Sequence, residues 1–165
     1  MTMASLSRRN FLGLAMVGTG EIFLAPKTIW PQTNKPPALP PELVKEFVIA
    51  GHGNLDRVKE LLEQQPGLLN ATWDWGGGDF ETALGGAGHM GRKDIAEFLI
   101  NKGCRMDIFV ATMLGKLEVV KAMLVAYPEL IKSKGPHGLT FLHHAKKGGD
   151  DAAPVLKYLE SLGAS

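Results

Sequence analysis

The chain has 165 residues, with 18 Lys and Arg against 17 Asp and Glu, a formal net charge of +1 and a hydrophobic share of 45%. So even a charge balance speaks against a protein that wraps phosphate backbone, which needs a cationic surplus to release counterions, and no nucleic-acid partner is expected. A single cysteine, Cys104, excludes an intramolecular disulfide and a thiolate-rich zinc site, leaving packing to hold the chain together.

Residues 1–25 carry Arg8 and Arg9, an apolar run from Phe11 to Val17 and one acid, Glu21. This is the layout of an export signal. The string Ser7-Arg8-Arg9-Asn10-Phe11-Leu12-Gly13 resembles the twin-arginine translocation signal S/T-R-R-x-F-L-K, with Gly13 where Lys is common. The resemblance implies contact with the twin-arginine translocase during export and a periplasmic or secreted location. Bulky Phe23 and Leu24 precede Ala25, and Pro26 follows it, so no small-x-small cleavage site stands out; an uncut segment would anchor the protein to the membrane. Glu21 and Pro26 interrupt the run, which is too short for a confident membrane span. Six of the ten prolines fall in residues 26–41, read as an extended linker that cannot be helical.

From residue 42 the chain repeats itself. Four glycines, Gly53, Gly91, Gly115 and Gly149, each precede an amphipathic run, as in Val58, Leu61, Leu62 and in Val119, Val120, Met123, Leu124. Spacings of three and four place these residues on one helix face. A shorter helix is expected upstream of each glycine, over Val44 to Ala50, Thr82 to Gly88, Met106 to Met113 and Thr140 to Lys147. The unit is a helical hairpin that cannot bury its apolar face without a neighbour. Pro66-Gly67-Leu68-Leu69 and Pro128-Glu129-Leu130-Ile131 close the second helix of two units in the same way.

These residues resemble the ankyrin repeat, with a period near 33 and the pattern G-x-T-P-L-H-x-A-A-x-x-G followed by an I-V-x-x-L-L-x-x-G-A helix. Gly138-Leu139-Thr140-Phe141-Leu142-His143-His144-Ala145 with Gly149 carries the match in unit four; Thr82-Ala83-Leu84, Ala87 and Gly91 carry it in unit two. Proline is absent after both threonines, and Gly85 stands where the pattern has His. The resemblance implies an all-α, ankyrin-type helical solenoid of about four helix-turn-helix repeats over residues 42–164. The glycines are 38, 24 and 34 residues apart. The short second interval predicts that the β-hairpin finger between repeats two and three is missing, and the long first interval predicts an extended finger from Asn70 to Glu81.

The residues that could carry chemistry are few. His143 occupies the pattern's histidine position and is expected to hydrogen-bond neighbouring backbone. His52 and His89 lie in turns before Gly53 and Gly91, where exposed or capping positions are expected. No pair of histidines has the i, i+4 spacing that puts two imidazoles on one ion from one helix. No metal or cofactor is therefore assigned, although stacked turns could bring His52, His89 and Asp79 together. Asp79 and His137 stand at equivalent places, twelve residues before Gly91 and Gly149, and read as matching finger tips rather than a joint site. Cys104 takes the family's small packing position, and Gly76-Gly77-Gly78 reads as a sharp finger turn with positive φ. Trp73, Trp75 and Phe80 on the long finger read in two ways: as aromatics that fill the gap of the missing finger, or as anchors for a partner.

The expectation is an exported protein-protein interaction module or scaffold, not an enzyme. Its contact residues would be Trp73, Trp75, Asp79, Phe80, Glu81 and His137, and its partner another protein. The alternative is a periplasmic metal- or small-ligand-binding protein using turn histidines and the Asp79 and Glu81 carboxylates.

Overall fold

The computed structural model describes residues 35–164. The expected export signal, with Arg8, Arg9, Phe11 and Leu12, and most of the expected linker lie outside the described residues. Contacts divide the chain after Pro36, and the unit beginning at Pro37 carries every element below. It is mostly helical. No described helix is long and apolar enough to cross a membrane.

Helix α1 (Pro41–Gly51) begins one residue inside the stretch expected to be extended. Proline fits the first helical turn, where its missing N–H would have had no partner and its fixed φ is already helical. Helix α2 (Leu55–Gln64) starts at Asn54, whose side chain accepts from the Arg57 N–H, and buries Val58 and Leu61. A 3₁₀ turn at Pro66–Asn70 ends the first helix pair. Strands β1 (Thr72–Asp74) and β2 (Phe80–Thr82) form an antiparallel finger in the register Thr72 to Thr82, Trp73 to Glu81 and Asp74 to Phe80. At its tip Gly76, Gly77 and Gly78 all have positive φ, which side chains rarely adopt, and the Asp74 carboxylate accepts from the N–H groups of Gly76 and Gly78.

Helix α3 (Ala83–Met90) is capped by Thr82, and α4 (Lys93–Asn101) follows. Helices α5 (Ile108–Met113), capped by Asp107, and α6 (Leu117–Ala126) come next, then a 3₁₀ turn at Pro128–Lys132. No strand lies between α4 and α5, in keeping with the expected loss of a finger there. A 3₁₀ turn at Pro136–Gly138 precedes α7 (Phe141–Gly148), capped by Thr140. The last helix, α8 (Ala153–Ser161), starts four residues after Gly149 rather than at it. Pro154 sits in its first turn, and Gly149–Ala152 form a 3₁₀ turn instead.

The first helices of the pairs stack in sequence, α1 on α3, α3 on α5 and α5 on α7, while α2, α4, α6 and α8 each pack against the partner preceding them. The core follows this arrangement in two parts. One gathers Phe47, Leu61, Leu84, Ile95, Leu99 and Met113 from the first two pairs and α5. The other gathers Ile108, Val120, Phe141, Val155 and Leu159 from the last two. Helices α3 and α5, in the middle of the stack, are buried nearly all round, while the others bury one face, so burial is shared between neighbours rather than gathered in a single centre. With the finger between α4 and α5 missing, α3 also meets α7. The turn before α7 thereby reaches the long finger before α3.

Candidate metal centre

Four side chains from separate segments converge where these elements meet: His52 at the end of α1, Glu81 on β2, His89 in the last turn of α3 and His137 in the turn before α7. One ligand atom from each lies within 4.8 Å of all the others. Glu81 is the deepest, 1% exposed, and His89 is also buried. The imidazoles of His52 and His137 form the rim, with 26% and 34% of their side chains exposed.

The second nitrogen of two imidazoles is already assigned. His52 Nδ1 is 3.0 Å from the Val48 carbonyl oxygen, which can only accept, so Nδ1 carries a proton and Nε2 points inward. His137 Nδ1 is 2.8 Å from Asp79 Oδ2. The Asp79 carboxyl is held below its ordinary pKa, first by the His137 backbone N–H, which donates to Oδ1 at 2.8 Å, so it is an ionised acceptor. Here too Nδ1 is the donor, and Nε2 faces Glu81. A carbonyl or carboxylate behind each imidazole fixes tautomer and ring orientation, as the outer partners of metal-bound histidines do.

The inner atoms face one another. His52 Nε2 is 3.3 Å and His137 Nε2 is 3.4 Å from Glu81 Oε2. His89 Nε2 is 3.1 Å from His52 Nε2 and 2.9 Å from Glu81 Oε1. Glu81 Oε1 is buried and, although His89 Nε2 is 2.9 Å away, has no hydrogen bond of good geometry among the described residues. The Trp75 indole N–H donates to Oε2 at 2.7 Å. Burial pushes the Glu81 carboxyl up, but hydrogen bonding from His52, His89 and Trp75 outweighs it and holds the pKa well below the carboxylate range. Hydrogen bonding to Glu81 raises His52 despite its partial burial. A buried carboxylate facing three ring nitrogens is a donor set suited to a cation, which would take the place of the protons now shared there.

The local sequence makes room for this. A Cβ on Gly86 would come within 2.9 Å of the His52 ring, so the second glycine of Gly85-Gly86 lets that imidazole lie across α3. His137 has φ 58, the left-handed conformation that few non-glycine residues adopt, and it sets both its backbone N–H and its ring on Asp79.

Several expectations change. Asp79 and His137 form a joint site, not separate finger tips, because the missing finger lets the second and fourth units touch. His89 is buried instead of lying in an exposed turn, since its position falls within α3 where α5 and α7 cover it. Glu81 cannot be a surface contact, as the inward register of β2 buries it. Trp75, grouped with surface anchors, is bound to Glu81 and lies edge-on to His52, with ring centroids 6.3 Å apart. Trp73 lies under the Lys45 ammonium, and Phe80 remains 61% exposed. His143 donates to the His89 carbonyl at 2.9 Å, the backbone role expected of it. Cys104 is buried, with its thiol 3.1 Å from the Leu69 carbonyl. The full ligand set was not legible because its members are 29, 8 and 48 residues apart along the chain. The signals that could have found it are the Gly85-Gly86 pair and the matching offsets of Asp79 and His137.

Comparison with protein-family models finds none that matches the chain, and comparison with curated proteins finds no match either.

Proposed function

We propose that this protein is an exported, ankyrin-type repeat protein that binds one divalent transition-metal ion through His52, Glu81, His89 and His137. The observation that carries the reading is the buried Glu81 carboxylate, with three imidazole nitrogens grouped about its two oxygens and Oε1 lacking a hydrogen bond of good geometry. Of the two functions expected from the sequence, ligand handling by turn histidines and finger carboxylates fits this arrangement better than protein contact. Four of the six proposed contact residues, Trp75, Asp79, Glu81 and His137, are engaged in or against the cluster. Imidazole nitrogens with one carboxylate suit zinc, nickel, copper or iron, and the absence of thiolate ligands speaks against a soft copper(I) site. No catalytic step is assigned, and the ion would be the sole cofactor.

The ankyrin reading is supported by the stacked helix pairs, the Thr82 and Thr140 caps and the place of His143. Export to the periplasm or beyond rests on Arg8, Arg9, Phe11 and Leu12. A protein partner is a second reading, favoured by Phe80 on the rim of a groove of about 330 Å³ between the long finger, α5 and the turn before α7.

Equilibrium dialysis of the purified full chain against zinc, followed by elemental analysis, tests the metal reading. One ion per chain is expected, with none retained after His52→Ala and His89→Ala together. A wild-type protein that is helical by circular dichroism yet retains no ion overturns it.

A further inference from the structure

We infer that Trp75 sets the coordination number of this centre: by occupying Glu81 Oε2 it leaves the carboxylate one oxygen for the ion, closing the site as a four-coordinate tetrahedron that selects zinc over manganese, magnesium or calcium. The inference rests on the metal reading above and adds which metal and why.

A glutamate can bind an ion through one oxygen or both, and ions that favour high coordination numbers draw in both. Here the two oxygens are not equivalent. The Trp75 indole N–H, a group that can only donate, lies 2.7 Å from Oε2, the length of a charge-assisted hydrogen bond. An oxygen that already gives its charge to a donor is the weaker ligand, whereas Oε1 faces His89 Nε2 at 2.9 Å without a hydrogen bond of good geometry. With Oε1 and three Nε2 atoms the ligand count is four. Zinc bonds to nitrogen and oxygen of about 2.0–2.1 Å put tetrahedral ligand atoms about 3.3 Å apart. The spacings of His52 from His89 and of His89 from Oε1, 3.1 and 2.9 Å, are close to this already. Manganese, magnesium and calcium prefer six or more oxygen-rich ligands, and the second carboxylate oxygen they would recruit is the one Trp75 holds. Trp75 is placed to act this way by the finger turn: its backbone N–H donates to the Asp79 carbonyl at 2.9 Å, and its ring lies 5.9 Å from that of His137. The ion would then have no open position for a substrate. It would join α1, the long finger, α3 and the turn before α7.

Cobalt(II) reports coordination number directly, because tetrahedral cobalt absorbs visible light strongly and six-coordinate cobalt weakly. The full chain is titrated with cobalt chloride, the visible spectrum recorded, and zinc and manganese affinities measured by competition. Strong tetrahedral bands, displaced by stoichiometric zinc, are expected from the wild type. Trp75→Phe, which keeps a ring but removes the N–H, is expected to weaken the bands several-fold and narrow the preference for zinc over manganese at least tenfold. Weak, six-coordinate bands from the wild type overturn the inference while leaving the metal site standing, as does a folded Trp75→Phe protein with unchanged bands and selectivity. Binding of neither cobalt nor zinc by a folded wild type overturns the metal reading itself. The wild-type spectrum decides the coordination number even if the variant does not fold.

Discussion

At the scale of single residues, Glu81 and Gly86 act in opposite ways. Glu81→Gln keeps the volume and the Trp75 acceptor but removes the charge, so zinc affinity should fall at least a hundredfold by isothermal titration calorimetry. Unchanged affinity would rule Glu81 out as a ligand. Gly86 lies inside α3, where Ala is favoured over Gly by about 1 kcal/mol. Gly86→Ala should therefore keep or raise the melting temperature of the metal-free protein while weakening zinc binding at least tenfold, because the new Cβ meets the His52 ring. A fall in both would mean that the glycine serves packing alone. Asp79 touches the site through His137 only. Partners of this kind typically change metal affinity 10–100-fold, so Asp79→Asn should weaken zinc binding by roughly that factor without changing the one-to-one stoichiometry.

Among the elements, helix starts and the buried histidine behind the site give two separable stability effects. Thr140 accepts from the His143 N–H at the start of α7, and Thr140→Ala should cost about 1 kcal/mol, read as a lower thermal midpoint. On the same helix His144 is 1% exposed, with Nδ1 donating to the Thr140 carbonyl and its ring against Phe109. Burial lowers its pKa from the ordinary 6.5, with His143 and His89 adding to the shift and Asp107 opposing it. The unfolded chain thus binds this proton more readily than the folded one, and the metal-free protein should lose stability as pH falls below about 6.5. His52 works in the other direction. Its raised pKa contributes stability that is fully present below the ordinary value and lost as pH rises through the folded one. The His144 contribution is therefore isolated by comparing wild type with His144→Asn between pH 7 and pH 5 in the presence of chelator. A flatter loss of stability in the variant is expected; parallel curves would assign the acid sensitivity elsewhere.

For the whole molecule, an ion held by α1, β2, α3 and the turn before α7 couples three of the four helix pairs. An ion that binds only the folded chain at a hundred times its dissociation constant stabilises it by about 2.7 kcal/mol. For a domain of this size that is a rise of roughly 8–12 °C in melting temperature, reversed by chelator. A metal that binds without moving the midpoint would place it outside this cluster. The N-terminal address is tested in cells: Arg8→Lys with Arg9→Lys should leave the protein in the cytoplasm, and an unaltered location would refute the twin-arginine assignment.

The sequence by itself determined the helix pairs, the long glycine-tipped finger and the gap where a finger is missing. These are local: a capping Thr or Asn, a proline at a first turn and an apolar stripe at spacings of three and four act within one or two turns of chain. The backbone role of His143 and the packing of Cys104, whose partners lie 54 and 35 residues away, were legible only through the resemblance to the ankyrin pattern. The site was legible only in fragments. His52, His89 and Asp79 could be named together because equivalent turns stack, but Glu81 and His137 could not be joined to them. Their meeting depends on α3 reaching α7 across the missing finger, on the register that turns Glu81 inward and on the left-handed backbone at His137. Tertiary structure alone decided that four ligand atoms from distant segments face one another, because burial and direction of a side chain belong to the packed array. In that array a balanced, ordinary composition conceals one concentrated charge, the buried Glu81 carboxylate.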